Sequence, residues 1–548
     1  MCKKMLVTNA LPYANGSLHL GHILEAIQTD IWVRYHRSIG REIYYVCADD
    51  AHGAPIMLHA RKLGITPEEL IAQVAKEHKS SFDAFNISFD HYHTTHSEEN
   101  RQLAEKVYVK NREAGHIATR TITQAYDPIE QMFLPDRYVK GECPRCGASD
   151  QYGDNCEKCG AAYSPVELKN PYSVLSGVTP VGKESLHYFF KLADFEPMLK
   201  QWTQESGSVQ AEVGRKLAEW FAAGLRDWDI SRDSPYFGFK IPGAEDKYFY
   251  VWLDAPIGYM ASFKALCDIR GLDFNEFWSR ESDAELFHFI GKDITYFHAL
   301  FWPALLEGAG YRKPTAIFTH GFLVANGEKM SKSRGTFISA DNYMEHLDPE
   351  FLRYYFCAKM SSGIHDIDFN PVDFVQRVNA DLIGKYVNIA SRCAGFLKKG
   401  FDSVLSLECA EPELVGEFVE AGEVIGDCYR RREYGQAVRD IMALADRANQ
   451  YIDEKKPWVL AREEGAGQEL HDVCSVGINL FRLITIYLHP VLPVTTGKAQ
   501  EYLNLGSLAW SSRHVALVGR AVSDFSPLLM RIQSSHVEDM LEKCWEKR

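Results

Sequence analysis

The amino-acid sequence predicts an α/β protein, a parallel-sheet domain split by an insertion and followed by a carboxyl-terminal α-helical bundle. Three observations carry this. Strand, helix and strand follow one another within the first fifty residues, the opening of a parallel sheet whose ligands lie at the carboxyl ends of its strands. Strand-like apolar runs return only near residue 248, after a stretch of different character with paired cysteines. From about Asp366 no clear strand pattern remains, and long amphipathic patterns such as Ile425–Asp453 and Leu470–Leu488 imply packed helices.

Met5-Leu-Val-Thr8 reads as the first strand. Pro12 and the Asn15-Gly16 pair then force a tight turn, and Ser17 offers an N-cap. From Leu20 the apolar residues fall at helical spacing (Leu20, Ile23, Leu24, Ile27, Ile31), so His19 and His22 share one face of the first turn. A helix start carries free N–H groups and the positive end of the helix dipole, which suits a phosphate. Two imidazoles there can donate to it, and Gly21 lets a flat base approach the backbone. Two histidines that merely decorate a helix start are the plainer alternative.

Gly40 fits the end of that helix, and Ile43-Tyr-Tyr-Val-Cys-Ala48 reads as a buried strand ending at Asp49-Asp50. A carboxylate at that edge could hold an amine; from these residues alone a turn or helix cap is the better reading. Helical patterns run from Thr66 to about Gly115. Cys143-Pro-Arg-Cys146 and Cys156-Glu-Lys-Cys159 then form two C-x2-C knuckles nine residues apart, each followed by glycine (Gly147, Gly160). Four thiolates so spaced fit a tetrahedral zinc closed to water, with disulfides as the alternative. Gly177–Glu184 nearly spells a Walker A loop, but Glu184 replaces the Ser/Thr that should meet magnesium, and Pro180 suits a turn.

The strand-like runs resume at Tyr248–Leu253, Leu286–Ile290 and Ala316–Thr319, the second half of the sheet. Asn326-Gly-Glu-Lys-Met-Ser-Lys-Ser-Arg334 follows. Lys329, Lys332 and Arg334 on a loop with glycine and two serines suit a clamp on a polyphosphate, with a solvated lysine loop as the alternative.

Composition bounds the function. The 548 residues hold several domains, and a net charge of −14 excludes a protein that coats nucleic acid indiscriminately. A local basic patch remains between Gln376 and Gly400, where Arg377, Lys385, Arg392, Lys398 and Lys399 face one acid, Asp381. Thirteen cysteines, an odd number in a long chain, imply a reducing compartment. Met-Cys-Lys-Lys-Met opens the chain with no apolar run, and Ser475–Val494, the best membrane candidate, contains Arg482, His489, Pro490 and Pro493. These point to a cytoplasmic protein with no membrane span.

The two charged stretches together resemble class I aminoacyl-tRNA synthetases: His19-Leu-Gly-His22 is similar to the HIGH motif and Lys329-Met-Ser-Lys-Ser333 to KMSKS, in the expected order. From Ala10-Leu-Pro-Tyr13 through Trp252–Tyr259 to Pro457-Trp458 the chain resembles the methionyl-tRNA synthetase family in its zinc-bearing form, over nearly its whole length. The resemblance implies a split Rossmann-like domain (1–115 and 231–324), a connective insertion with zinc knuckles (116–230), the KMSKS loop and linking region (325–380) and a helical anticodon-binding domain (381–548). It implies that methionine attacks ATP to give methionyl-adenylate and pyrophosphate, and that the acyl group passes to tRNA(Met), the initiator included. His19, His22, Lys329 and Lys332 would be catalytic. Leu11, Tyr13, Asp50, Trp252, Ala255, Pro256, Tyr259, Ile294 and His298 would bind methionine. His19, Gly21, His22, Glu25, Gly291, Asp293, His320 and Lys332 would bind ATP with Mg2+. Cys143, Cys146, Cys156 and Cys159 would hold one structural Zn2+, and Asn388, Arg392 and Trp458 would contact the anticodon. Gly384 stands where some relatives have asparagine. No further dimerising domain follows, so a monomer is expected.

Isoleucyl, valyl and leucyl relatives carry a much larger editing insertion than the roughly 115 residues here, because an apolar pocket separates near-isosteres by only ~1–3 kcal/mol. Small nucleotidyltransferases with the HIGH signature lack the helical region. A zinc-knuckle RNA-binding module leaves the paired histidine and lysine motifs without a purpose.

Overall fold

The structure is a computed structural model. It describes residues 3–153, 156–159, 161, 163, 165–325, 327–329 and 337–546, without the side chains of 328, 329 and 543–546.

Strand β1 (Met5–Asn9) is buried throughout and leads through a loop into helix α1 (Leu20–Ser38). Strand β2 (Ile43–Asp49) follows, then helix α2 (Pro67–Ala84), capped by Thr66 and Glu69, and the edge strand β3 (His91–Thr94). The helical pattern expected from Thr66 to Gly115 is thus interrupted. His-Tyr-His-Thr has no apolar alternation to mark it as a strand, and only its pairing with β2 makes it one.

The insertion opens on a long antiparallel pair, β4 (Ile117–Asp127) and β5 (Val181–Phe190), in register from Ile117↔Phe190 to Tyr126↔Val181. The Gly177–Glu184 stretch runs straight into β5, so no helix receives a phosphate there. The expected strand at Tyr248–Leu253 is a short one, Lys247–Phe249, paired with Ser231–Asp233 outside the parallel sheet, followed by a helical turn at Val251–Asp254. A short apolar run suits a strand or a buried helical turn equally, and here it forms both. Helix α3 (Ile257–Arg270) then leads to β6 (Glu285–Gly291) and β7 (Ala316–His320).

The five sheet strands are all parallel, in the order β7-β6-β1-β2-β3. Strand order therefore reverses between β1 and β6, and the crevice at their carboxyl ends, beside Ala10 and Gly291, is where such a sheet holds ligands.

Helices α4 (Pro349–Lys359), α5 (Asn388–Gly400), α6 (Pro412–Arg431), α7 (Tyr434–Lys455) and α8 (Gly467–Leu488) follow. The single pattern at Ile425–Asp453 is two helices, broken where Arg432 takes a left-handed φ of 64°. Burial along α8 is nearly complete, and its Arg482 donates to the Ser512 carbonyl at 2.8 Å. Among the described residues no helix is long and apolar enough to cross a membrane.

One apolar core runs from α1 and one face of the sheet into the bundle, and a second packs α3 and the insertion against the other face. The bundle grips α1 directly. Trp32 Nε1 donates to the Arg430 carbonyl at 3.2 Å, and the Tyr434 hydroxyl donates to the Gln28 carbonyl at 3.0 Å. The fully buried Arg353 donates to Asp30 of α1 at 2.7 Å and to the Val491, Pro490 and Phe85 carbonyls.

Candidate active site

Helix α1 begins later than its sequence suggests. Leu20 N–H donates to the Ile338 carbonyl and Ala340 N–H to the Leu18 carbonyl, so residues 18–20 are drawn into a short bridge with 338–340. Ser17 is left in the loop, and His19 becomes the N-cap. Gly21 N–H donates to His19 Nδ1 at 3.0 Å, and His19 N–H donates to His22 Nδ1 at 3.3 Å. The two histidines thus form a reciprocal capping box, with rings stacked 3.8 Å apart. Each Nδ1 accepts, so each neutral ring carries its proton on Nε2. Burial, with His19 and His78 beside it, drives His22 well below the ordinary imidazole range and keeps it neutral.

These rings line a cavity of about 480 Å³ with Gly21, Glu25, Gly291, Asp293, His320 and Phe337. Its floor is polar. Asn9 Nδ2 donates to Glu25 at 3.4 Å, and the Glu25 carboxyl meets His320 Nε2 at 3.1 Å. Burial pushes Glu25 above its usual range; it also works against the His320 charge, but the bond to Glu25 holds that ring above the ordinary value. A Cβ at Gly291 would lie 2.6 Å from Asp293 Oδ1, so a side chain there would displace the Asp293 carboxylate. Every residue expected at the nucleotide lines this cavity except Lys332. Lys332 lies outside the described residues, as does the side chain of Lys329.

A second cavity, of about 620 Å³, shares Ala10, Leu11, Tyr13 and Ile294 with the first. It is lined by Leu11, Tyr13, Asp50, Trp252, Ala255, Pro256, Tyr259, Ile294 and His298, brought from β1, β2, the Val251–Asp254 turn, α3 and the end of β6. The Tyr259 hydroxyl and His298 Nε2 lie 2.9 Å apart, and His298 Nδ1 donates to the Ile294 carbonyl at 3.1 Å. Burial holds the ring down at about 4, so it is neutral and its Nε2 accepts a hydrogen bond from the tyrosine hydroxyl. Trp252, Tyr250, Trp228 and Phe297 form an aromatic cluster at the rim.

Asp50 stands at the carboxyl end of β2 with Oδ1 buried and unbonded. Burial, with Asp254 and Asp49 nearby, raises it well above the usual carboxylate range. A cation delivered to this oxygen would reverse that. Arg232, absent from the sequence expectations, also lines this cavity, with its guanidinium 3.7 Å from the Tyr250 ring centre. It sits in Ser231-Arg-Asp233, where no spacing marks it.

The four cysteines converge in the insertion. All four Sγ atoms lie within 4.8 Å of one another, with Cys143–Cys159 at 3.8 Å and Cys146–Cys156 at 3.5 Å. Cys146 N–H donates to Cys143 Sγ and Cys159 N–H to Cys156 Sγ, both at 3.4 Å, so the two knuckles repeat one geometry. A zinc tetrahedron with bonds of about 2.3 Å has edges of about 3.8 Å, so these residues fit the ion.

Asn388, Arg392 and Trp458 also meet. Asn388 Nδ2 donates to Asn449 Oδ1 at 3.0 Å, Arg392 bonds Asn449 and Asp453, and its guanidinium lies 5.0 Å from the Trp458 ring centre. Asn449, another residue that no motif marks, is fixed by donating to the Lys385 and Ala445 carbonyls. The basic patch is largely paired: Lys385 with Asp446, Lys398 with Asp524 and Arg377 with Asp373. Gly384 lies in a wide helical turn at Asn379–Val387.

Residues 5–394 match the family model described as tRNA synthetases class I (M). The chain is 25% identical to a Mycobacterium tuberculosis methionyl-tRNA synthetase in complex with methionyl-adenylate, with a TM-score of 0.80 over 96% of this chain and 99% of that one. A second methionyl-adenylate-bound structure of the enzyme from that organism is 24% identical, with a TM-score of 0.80 over 96% and 100%. Its apo form is 23% identical, with a TM-score of 0.73 over 97% and 99%.

Proposed function

We propose, from the premise that this chain belongs to the class I (M) tRNA synthetase family, that it is a methionine–tRNA ligase. It couples ATP to the formation of methionyl-adenylate and then charges tRNA(Met), the initiator included. The observation that carries this reading is the shared wall of the two cavities. An amino acid with its ammonium at Asp50 and its side chain among Tyr13, Trp252, Tyr259 and His298 would present its carboxylate across Leu11 and Ile294 to the helix start.

In this reading the methionine carboxylate attacks the α-phosphorus of ATP and pyrophosphate leaves. ATP brings Mg2+ as part of the substrate. Charge grows on the phosphate oxygens, and the Nε2–H groups of His19 and His22, which line that cavity at the positive end of the α1 dipole, are the donors that meet it. Neutral rings serve better than charged ones here, because each already spends Nδ1 on the cap and cannot rotate away. Asp50 takes the ammonium, which neutralises a carboxylate that is otherwise buried without a partner. Glu25, Asp293 and His320 hold the adenosine, and Lys329 and Lys332 hold the leaving pyrophosphate. A flexible thioether suits an aromatic, polarizable pocket. Cys143, Cys146, Cys156 and Cys159 hold one Zn2+, which when bound cross-links the insertion; four thiolates leave no position for water. Asn388, Arg392 and Trp458 read the CAU anticodon, and the protein acts in the cytoplasm as a monomer.

Amino-acid-dependent exchange of pyrophosphate into ATP tests the reading, run in parallel with methionine, isoleucine, leucine and cysteine. Methionine alone should support rapid exchange. Equal or faster exchange with another amino acid, or none with any, would overturn it.

A further inference from the structure

Behind the helix start lies a histidine that the mechanism above leaves unused. His78 is fully buried on α2. Its Nδ1 lies 2.6 Å from Asp49 Oδ1 and its Nε2 lies 2.8 Å from the Gly16 carbonyl oxygen. Asp49 Oδ1 also accepts the Tyr92 hydroxyl at 2.6 Å. A carbonyl can only accept, and an ionised carboxylate can only accept, so both bonds are made together only by an imidazolium that donates twice. Burial works against that charge, but the bonds and charge of Asp49, with the Gly16 carbonyl, outweigh it and raise His78 above the ordinary imidazole value.

The location gives this cation a use. Gly16 belongs to the turn that joins β1 to the start of α1, and the adjoining Asn15 is held from the other side, its Oδ1 2.7 Å from His59 Nδ1. His78 acts electrostatically on His22, and Phe82, one turn further along α2, lines the cavity of the capping histidines. Asp49 is the residue before Asp50.

We propose that His78 is a positioning residue of the adenylation step: a buried imidazolium that ties the Asn15–Gly16 turn to the end of β2 and holds fixed positive charge behind His19 and His22. It would set the capping histidines against the phosphates, and its charge would assist as negative charge grows there. The inference rests on the adenylation reading proposed above.

The test is methionine-dependent pyrophosphate exchange with the full chain, for wild type, His78→Gln and the double variant His78→Gln with Asp49→Asn. The double variant replaces the ion pair by two amides, so no buried carboxylate is stranded, and thermal unfolding establishes that each variant is folded. We expect kcat to fall at least thirtyfold in both variants, with the KM for methionine within threefold of wild type. Restored kcat in the double variant would mean that His78 only neutralises Asp49 and would overturn the inference. So would a rise in methionine KM with kcat unchanged. If wild type itself shows no methionine-dependent exchange, the failure lies in the adenylation reading instead.

Discussion

Asp50 keeps one carboxylate oxygen buried and unbonded, and its raised pKa fixes the sign of a stability effect. A carboxyl raised in the folded state loses stability as the pH rises from its unfolded pKa toward its folded one, with the full cost present above the folded value and none at low pH. Asp50→Asn should therefore stabilise the ligand-free protein at pH 8 by about 1–2 kcal/mol, the scale of an unpaired buried polar group. The same change should raise the KM for methionine at least tenfold, since a bond to a charged group is worth about 1.5–3 kcal/mol. Thermal melts and exchange kinetics check the two halves separately. At the helix start, His22→Ala removes one preorganised donor and should lower the rate of adenylate formation by about 10²–10³, with methionine binding retained. Stopped-flow bursts that stay near wild type would contradict this. The histidine pair was legible because i, i+3 spacing on an apolar-periodic helix is a local fact. Arg232, His78 and Asn449 were not, because each gains its role from what the fold sets beside it, and nothing local distinguishes them.

Among the elements, the strands buried on both faces were readable, since uninterrupted apolar runs have few other places to go. The start of α1 was not. Ser17 has the better capping chemistry, yet the pairing of residues 18–20 with 338–340 moves the cap two residues on, and that partner lies over 300 residues away. The knuckles were legible from spacing alone. Freshly purified, reduced protein should contain one zinc per chain. Its removal should loosen the segment that bears Met132, Leu134 and Arg137 on the larger cavity, so methionine KM should rise more than kcat falls. Metal analysis and exchange assays before and after chelation check this, and a zinc-free but fully active protein would refute it.

Across the whole molecule, the bundle and the sheet are joined at a charge. Burial opposes ionisation of Asp30, but Arg34, Arg353 and Ser88 outweigh it and hold the carboxyl at about 2. A depressed carboxyl contributes stability above its unfolded pKa and loses it as the pH falls through the folded value, so about 2 kcal/mol should disappear between pH 4 and pH 2. Urea titrations of wild type and Asp30→Asn should show this acid-dependent difference; parallel pH profiles would contradict it. At the far side of the bundle, Trp458 is 38% exposed beside Arg392. Stacking one base is worth about 1–3 kcal/mol, so Trp458→Ala should raise the KM for tRNA by about 5- to 100-fold and leave tRNA-free exchange within twofold. If both reactions fall together, Trp458 is a packing residue. The bond pattern along α1 has a mechanical consequence. Its 19 residues form a rod about 28 Å long. The rod is clamped by the bundle along its middle and last turns, while its tip carries His19 and His22. It is a lever. The clamp at Gln28 and Trp32 lies roughly 12–18 Å from the tip, so a tilt of about 4° displaces the tip by about 1 Å, a misplacement on the scale that costs about a hundredfold in rate. Whatever docks on the bundle therefore holds the handle of the tip that carries His19 and His22.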